Sequence, residues 1–203
     1  FIGAVFSLIP FGQPIVIATA SLLTTTATIY SLSVYADSKD AGFFFEQGNN
    51  KADNGDREGA ISDYTEAIKL DPEFGDAYYN RGYEKKELGD HEGAISDFTE
   101  AIKLKPDHAQ TYLNRGKSKE FTGDIYGALE DYNKSIELDS TNPTVFNERG
   151  NLRGELGDLA GSIVDYTKAI SIDPLVPVYY MNRAISKDDM QVSLFLSGFF
   201  SSA

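Results

Sequence analysis

The chain has 203 residues and carries 31 Asp and Glu against 18 Lys and Arg, which gives a formal net charge of −13. The absence of cysteine excludes disulfide and thiolate chemistry. The acidic balance also disfavours nucleic-acid binding, because contacts to phosphates need clustered Lys and Arg.

The N-terminal segment is free of charge. Residues 1–36 contain no Asp, Glu, Lys, Arg or His, and Pro10 and Pro14 argue against one continuous helix through residues 1–14. Residues 15–36 then contain no charge, proline or glycine. A helix over these residues is about 33 Å long, close to the ~30 Å core of a bilayer. We therefore predict an N-terminal hydrophobic helix.

Three interpretations of residues 1–36 stay open. The segment can be a membrane anchor, with the span over residues 15–36. It can be a signal peptide, since Val34-Tyr35-Ala36 before Asp37 has the small-residue form of a cleavage site. It can also be an apolar segment buried against the rest of the chain or against a partner subunit, because an exposed apolar stretch of this length favours aggregation.

The central region is periodic. Three markers recur every 34 residues: a glycine that follows Arg in most copies, a Gly-Asp pair, and an aromatic residue. The glycines are Gly48, Gly82, Gly116 and Gly150; the pairs begin at Gly55, Gly89, Gly123 and Gly157; the aromatic residues are Tyr64, Phe98, Tyr132 and Tyr166.

This period and pattern resemble the tetratricopeptide repeat, a helix-turn-helix unit that stacks into a solenoid. In the second unit the family pattern falls on Tyr78, Gly82, Ala94, Phe98, Ala101 and Pro106. The resemblance implies an all-α, right-handed solenoid. It also implies a junction at residues 37–40, four repeats (41–74, 75–108, 109–142 and 143–176), a partial repeat or capping helix at 177–189, and an apolar tail at 190–203.

Each repeat is expected to contain helix A over about its first 13 residues and helix B over residues 17 to 30. The Gly-Asp pair predicts the turn between them, with Gly in the left-handed conformation and Asp as N-cap of helix B. Proline ends helix B in three units, at Pro72, Pro106 and Pro174. In the remaining unit Pro143 is expected in the first turn of the next helix. Gly82 and Ala94 are predicted to face each other where helices A and B cross.

Arginine and aspartate also recur with the repeat. Pairing each Asp with the Arg of the following unit uses all eight residues and explains why the first unit has Gln47 in place of Arg. We therefore predict four ion pairs between repeats: Asp63–Arg81, Asp97–Arg115, Asp131–Arg149 and Asp165–Arg183.

In the resembled family, helix A lines a concave groove that binds peptides. The corresponding positions mix aromatic side chains, amides and carboxylates, which suit a protein segment. They are Phe45, Glu46, Asn49 and Asp53; Tyr79, Asn80, Tyr83 and Glu87; Leu113, Asn114, Lys117, Glu120 and Phe121; and Asn147, Glu148, Asn151 and Glu155.

The resemblance argues against a carboxylate clamp, which in the family uses a groove rich in Lys and Arg. Asn49 and Asn80 fit that pattern, but the positions expected to be basic hold Phe45, Gln110 and Asn114. Basic or polar partners are favoured instead.

The expected function is a non-catalytic protein-interaction scaffold, tethered to a membrane, that acts as assembly factor or accessory subunit of a membrane complex. No catalytic constellation, metal site or cofactor motif is recognisable, and His91 and His108 are expected to be solvated turn residues. The alternatives are an exported soluble binding module cleaved after Ala36, and a fragment of a larger enzyme or signalling protein.

Overall fold

The computed structural model of the chain describes residues 40–201, and all regular structure within that range is helical. The predicted hydrophobic helix of residues 1–36 lies outside the described residues. In chain order the helices are α1 (Ala41–Asp53), α2 (Arg57–Leu70), α3 (Gly75–Glu87), α4 (His91–Leu104), α5 (Ala109–Phe121), α6 (Ile125–Leu138), α7 (Pro143–Glu155), α8 (Leu159–Ile172) and α9 (Pro177–Ser201). Each helix packs against its neighbours along the chain. The predicted order of helices A and B is thus confirmed in all four repeats.

The Gly-Asp turn has the predicted conformation. Gly89 has a φ of +86°, in the left-handed region that glycine adopts without steric cost. The Asp90 side chain accepts a hydrogen bond of 2.9 Å from the backbone N–H of Gly93, which caps α4. The other three turns repeat the same φ region and the same cap.

The ends of the second helices also follow the prediction. The helices α2, α4 and α8 end two residues before a proline. In the third repeat α6 ends at Leu138 without one, and Pro143 occupies the first turn of α7. There the Asp139 carboxylate accepts hydrogen bonds from the hydroxyl and the backbone N–H of Thr141, at 2.6 and 2.8 Å, and these bonds lower the pKa of Asp139.

The repeat glycine packs against the aromatic side chain of its own unit. A Cβ placed on Gly82 would lie 3.0 Å from the ring of Phe98, and one placed on Gly116 would lie 2.7 Å from the ring of Tyr132. The prediction that Gly82 faces Ala94 is supported by the third repeat, where the backbone oxygen of Ala128, the counterpart of Ala94, lies 3.3 Å from the Cβ position of Gly116. The closest approach to both glycines is nevertheless made by the ring. Glycine is needed because the ring fills the space of a side chain.

The predicted ion pairs between repeats are wrong in register. Arg81 Nη2 lies 2.6 Å from Asp97 Oδ1, within its own repeat, and Arg81 Nε donates to the second oxygen at 2.8 Å. The pairs in the next two repeats are Arg115–Asp131 and Arg149–Asp165. The reason is geometric: the Arg of helix A reaches the facing helix B of the same unit.

A second cation on helix A completes each aspartate site. Lys85 Nζ lies 2.8 Å from Asp97 Oδ2. The equivalent contacts in the other repeats are Lys51–Asp63, Lys119–Asp131 and Arg153–Asp165. Asp63 in the first repeat therefore has Lys51 as its cation, since Gln47 carries no charge. Among the described residues, no carboxylate lies within 4.0 Å of the Arg183 guanidinium, and position 199, one repeat after Asp165, is Phe.

The arginines do connect repeats, but through neutral side chains. Arg81 Nη1 donates to Thr65 Oγ1 of the preceding repeat at 3.2 Å, and Arg115 makes the same bond to Thr99. Arg149 donates to Asn133 Oδ1 at 2.7 Å. Arg183 donates to Thr167 Oγ1 at 3.4 Å. Each arginine thus bonds to the preceding repeat, and three of them also bond to the aspartate of their own.

The last helix is longer than predicted. A short cap at 177–189 and a separate tail at 190–203 were expected, but α9 continues without a break from Pro177 to Ser201, over 25 residues. It packs on α8 and, more lightly, on α7. Within residues 40–201, no helix combines the length and the apolar character that a bilayer crossing requires.

Candidate functional site

Two pockets lie between helix A of one repeat and helix A of the next. The first, which we call the Asn49 pocket, is formed by α1 and α3 with one side chain from α2, and has a volume of about 370 Å³. It is lined by Asn49, Ala52, Asp53, Tyr64, Asn80, Tyr83 and Glu84. The second, the Glu120 pocket, is formed by α5, α6 and α7, with a volume of about 310 Å³. It is lined by Lys117, Glu120, Phe121, Ile125, Glu148 and Glu155.

The Asn49 pocket is organised by the amide for which we name it. Asn49 Oδ1 accepts hydrogen bonds from Tyr64 Oη and from Asn80 Nδ2, both at 2.9 Å. These bonds join the two helices of the first repeat to the first helix of the second. Burial raises the pKa of Tyr64 to about 12, so its hydroxyl remains a donor at neutral pH.

A buried carboxylate forms another part of this pocket. Glu84 is 5% exposed and accepts a hydrogen bond of 2.5 Å from Arg57 Nη1 on α2. Because Arg57 neutralises Glu84, the uncompensated charge of the pocket comes from the exposed Asp53. The pocket therefore offers amide, phenol and carboxylate oxygens to a ligand, with a small negative charge.

The Glu120 pocket is more strongly acidic. Three carboxylates line it against one cation, and that cation, Lys117, already contacts Glu148 at 2.7 Å. Tyr132 Oη donates to Glu120 Oε2 at 2.6 Å. The pKa of Glu120 is raised, first by burial and then by the charges of Glu148 and Glu155, while the bond from Tyr132 opposes the rise.

An apolar surface borders these carboxylates. Phe121 is 75% exposed and its ring stacks on His91, with ring centroids 3.8 Å apart, and Ile125 lies beside it in the pocket lining. A long side chain with an apolar stem and a cationic end matches this combination, because the stem can lie on Phe121 while the end reaches the carboxylates.

Three predicted groove residues are buried and therefore not available to a partner. Leu113 belongs to the hydrophobic core, Asn114 bonds to Tyr79 and Lys86, and Asn147 accepts a hydrogen bond of 3.0 Å from Asn182. For these residues the prediction is wrong, because their positions on helix A face other helices rather than the pockets.

The other predicted residues outside the pockets have mixed positions. The ring of Phe45 packs on Phe74, with centroids 4.7 Å apart, and Tyr79 packs on Phe98 and His108. Asn151 accepts a hydrogen bond from Tyr166. Glu46 and Glu87 are exposed. The two pockets thus bring together nine of the predicted residues: Asn49, Asp53, Asn80, Tyr83, Lys117, Glu120, Phe121, Glu148 and Glu155.

Sequence reasoning missed four lining residues: Ala52, Tyr64, Glu84 and Ile125. Tyr64 was assigned to the core by its position in the repeat, and its ring is indeed buried, but its hydroxyl reaches the pocket. Glu84 aligns with Ser118 and Leu152, both buried. An acidic residue at a buried position of the repeat was the signal that could have identified it.

The two histidines differ in their surroundings. His108 is exposed and its Nδ1 lies 2.6 Å from Thr111 Oγ1. His91 is partly buried under Phe121, so it is less solvated than expected. In residues 40–201 no group of three His, Asp or Glu side chains is arranged to hold a metal ion.

Comparison with protein families supports the repeat assignment. Three family models match: one described as "TPR repeat" at residues 48–87, and two described as "Tetratricopeptide repeat", at residues 75–108 and at 109–142 and 143–174. Together they cover residues 48–174, more than half of the chain. No curated protein matches the sequence significantly.

Several solved structures share the fold. MamA 41-end from Desulfovibrio magneticus RS-1 matches with a TM-score of 0.72 at 17% identity, over 82% of this chain and 94% of that one. YrrB, described as a TPR protein with an unusual peptide-binding site, gives 0.69 at 17% identity, over 80% and 84%. The first TPR of Spaghetti (RPAP3), bound to the HSP90 peptide SRMEEVD, gives 0.57 at 27% identity, over 61% and 98%.

Proposed function

Because the chain belongs to the tetratricopeptide-repeat family, we propose that it is a non-catalytic interaction module that holds a basic segment of a partner protein against its helix A face. The observation that carries the proposal is the Glu120 pocket, where three carboxylates and an exposed aromatic ring lie together. A Lys or Arg side chain entering there would place positive charge beside Glu120, whose ionised form is disfavoured by burial and by its acidic neighbours.

Two related structures support peptide binding in general. The RPAP3 domain is bound to an HSP90 peptide, and YrrB is described by its peptide-binding site. The HSP90 peptide SRMEEVD ends in three acidic residues out of four. The Glu120 pocket has the opposite preference, so this chain is expected to select a different class of segment.

A peptide selection tests the proposal. Peptides selected from a random library on the immobilised chain should be enriched in Lys and Arg, and their binding should weaken as salt rises, since the attraction is screened. The double variant Glu120→Gln/Glu155→Gln should bind the selected peptides about ten-fold less tightly, a loss of ~1.4 kcal/mol.

A matched control removes the same charge elsewhere. Glu92 and Glu130 are exposed residues of α4 and α6 outside both pockets. The variant Glu92→Gln/Glu130→Gln should therefore keep the affinity of the unmodified chain. Equal losses in the two double variants, or selection of acidic peptides, would contradict the proposal.

We further propose that residues 15–36 tether the module to a membrane, where it serves as assembly factor or accessory subunit of a membrane complex. The support is the uncharged length of this segment, which equals that of a bilayer-spanning helix. An intact-mass measurement on protein from the native membrane fraction tests the tether. A mature N-terminus at Asp37 would exclude the anchor and favour an exported binding module.

A further inference from the structure

The last helix, α9, has apolar residues on two opposite faces. Its inner face packs on α8 and buries Tyr179 and Ser186. Its outer face carries an exposed row that we call the outer stripe, formed by Val178, Met181, Ile185, Val192 and Phe195. The last four of these side chains are 52% to 73% exposed. A helix that is apolar on both sides normally has a neighbour on each.

The spacing within the outer stripe indicates what kind of neighbour fits. Successive positions, with Asp188 in the middle, are separated by 3, 4, 3, 4 and 3 residues. This alternation is the pattern of a seam between two packed helices, where each apolar side chain inserts between those of the facing helix. A flat lipid surface or an extended peptide would not require it.

The charge of α9 allows a second copy of the chain to approach. The chain as a whole has a net charge of −13, which opposes self-association over most of its surface. The charged residues of α9 are two basic and two acidic, Arg183, Lys187, Asp188 and Asp189, so the helix itself is neutral. Association through α9 therefore avoids the repulsion that other surfaces would meet.

We propose that the chain forms a dimer through the outer stripes of two antiparallel α9 helices that cross near Asp188. The stripe is symmetric about the midpoint between Ile185 and Asp188: Val178 comes to lie opposite Phe195 of the other copy, Met181 opposite Val192, and Ile185 opposite Asp188. A two-fold axis of this kind is the most frequent symmetry of soluble dimers.

Asp188 determines the orientation of the two helices. Its carboxylate interrupts the apolar seam, and a polar residue at such a position selects one register at some cost in stability. In the antiparallel arrangement each Asp188 lies opposite Ile185 of the other copy, which keeps the two carboxylates apart. A parallel arrangement would instead place the two Asp188 residues in direct apposition.

Disulfide crosslinking tests the arrangement, because the chain contains no cysteine of its own. The single variants Met181→Cys and Val192→Cys are mixed under reducing conditions and then oxidised. A crosslink should form between the two different variants and not within either one alone. Two Met181 positions would be about 16 Å apart along the crossing, the length of a helix of about 11 residues at 1.5 Å per residue. Crosslinks within each single variant, or none in the mixture, would overturn the proposal.

The oligomeric state gives an independent test. The full chain should sediment as a dimer, and Met181→Glu/Ile185→Glu should convert it to a monomer with an unchanged circular dichroism spectrum. Val164→Glu introduces a charge at an exposed apolar residue of α8 outside the stripe and should leave the dimer intact. Asp188→Leu, which fills the gap in the stripe, should lower the dimer dissociation constant at least ten-fold.

Three results would overturn the proposal. One is a chain that is monomeric at every concentration. Another is a dimer that the Met181→Glu/Ile185→Glu variant leaves unchanged. The last is a monomer that floats with phosphatidylcholine vesicles and loses this property in the same variant, which would assign the stripe to a lipid surface.

Discussion

The arginine before the repeat glycine makes two sets of hydrogen bonds, one within its own repeat and one to the preceding repeat. Its Nε and one terminal nitrogen bind the aspartate of its own helix B, and the other terminal nitrogen reaches the preceding repeat. Arg115 shows the arrangement, with Asp131 on one side and Thr99 on the other. One side chain thus fixes the angle between two helices and also joins two repeats.

Replacing Asp131 by Asn should destabilise the protein by about 3 kcal/mol. Asp131 is 3% exposed and is held by both Arg115 and Lys119, so the substitution leaves two cations around an uncharged group. Urea denaturation monitored by circular dichroism measures the change. Asp63→Asn is the matched control, because Asp63 faces one cation, Lys51, whose side chain is 39% exposed. Equal losses at the two sites would contradict the importance of the arginine.

Glu120→Gln should have an effect on stability that depends on pH. The pKa of Glu120 is raised in the folded state above its ordinary value of 4.5, so the folded protein binds this proton more tightly than the unfolded chain. The ionised carboxylate therefore lowers stability at neutral pH, and this cost disappears as the pH falls toward 4.5 and below.

The amide can still accept the hydrogen bond from Tyr132, so the variant should unfold at a higher temperature than the unmodified chain at pH 7. The difference should shrink to zero below pH 4.5. Differential scanning calorimetry across this range measures it. A variant that is less stable at pH 7 would contradict the stated cause of the pKa shift.

The turn between helices A and B shows how a local sequence sets a boundary at the scale of an element. In each repeat the glycine ends the first helix in the left-handed region, and the following Asp caps the second. These effects act over a few residues, which explains why both helix boundaries could be predicted from the sequence in every repeat.

Gly89→Ala should destabilise the protein by about 1 kcal/mol, because an L-residue in the left-handed region is strained even where space is available. Gly154→Ala should instead stabilise it by about 1 kcal/mol, since that glycine is helical and its added Cβ would meet Ser162 at an ordinary 3.8 Å. Thermal melts of the two variants compare them directly. Shifts of the same sign would contradict the assignment of strain to the turn.

The contacts between helices are harder to predict from the sequence than the ends of the helices. Asp97 lies 16 residues after Arg81 and 18 before Arg115, so the repeat period allows either pairing. Which arginine reaches the carboxylate depends on how the helices cross, and the sequence does not specify that angle. Gln47 in the first repeat favours the wrong pairing, because it is Lys51 that supplies the cation for Asp63.

The lining of the candidate site is likewise only partly predictable from the sequence. Tyr83 and Lys117, at one repeat position, line the pockets as predicted, whereas Tyr79 and Leu113, at another, pack away from them. Both positions lie on helix A within one turn of each other. Contacts with the side chains of the facing helices determine which of the two positions stays accessible in a pocket. Those contacts are made by residues that are distant in the sequence.

At the largest scale, the four repeats form a linear array, so stability is expected to vary along them. A repeat contacts its neighbours only, and its local opening depends on those interfaces. The first repeat lacks the arginine and has one cation at its aspartate, whereas the third has both and is packed on each side.

Native-state hydrogen exchange followed by mass spectrometry should detect this gradient. The free energy of opening should be about 1–2 kcal/mol lower for the amides of α1 and α2 than for those of α5 and α6. A difference of this size is expected because the first repeat lacks the hydrogen bonds that an arginine makes to the aspartate. Substituting Gln47→Arg should narrow the difference, while the exchange of α5 and α6 stays unchanged. Uniform protection along the array would contradict this ordering.

The bond from each arginine to the Thr or Asn 16 residues before it has an evolutionary consequence. Each unit after the first has the arginine that bonds to the unit before it, and each unit has a Thr or Asn that accepts from the unit after it. A gene duplication that copies one of these later 34-residue units would therefore create a junction whose side chains already match. The number of units, and with it the length of partner that the protein can accommodate, is then free to change by recombination without any compensating substitution.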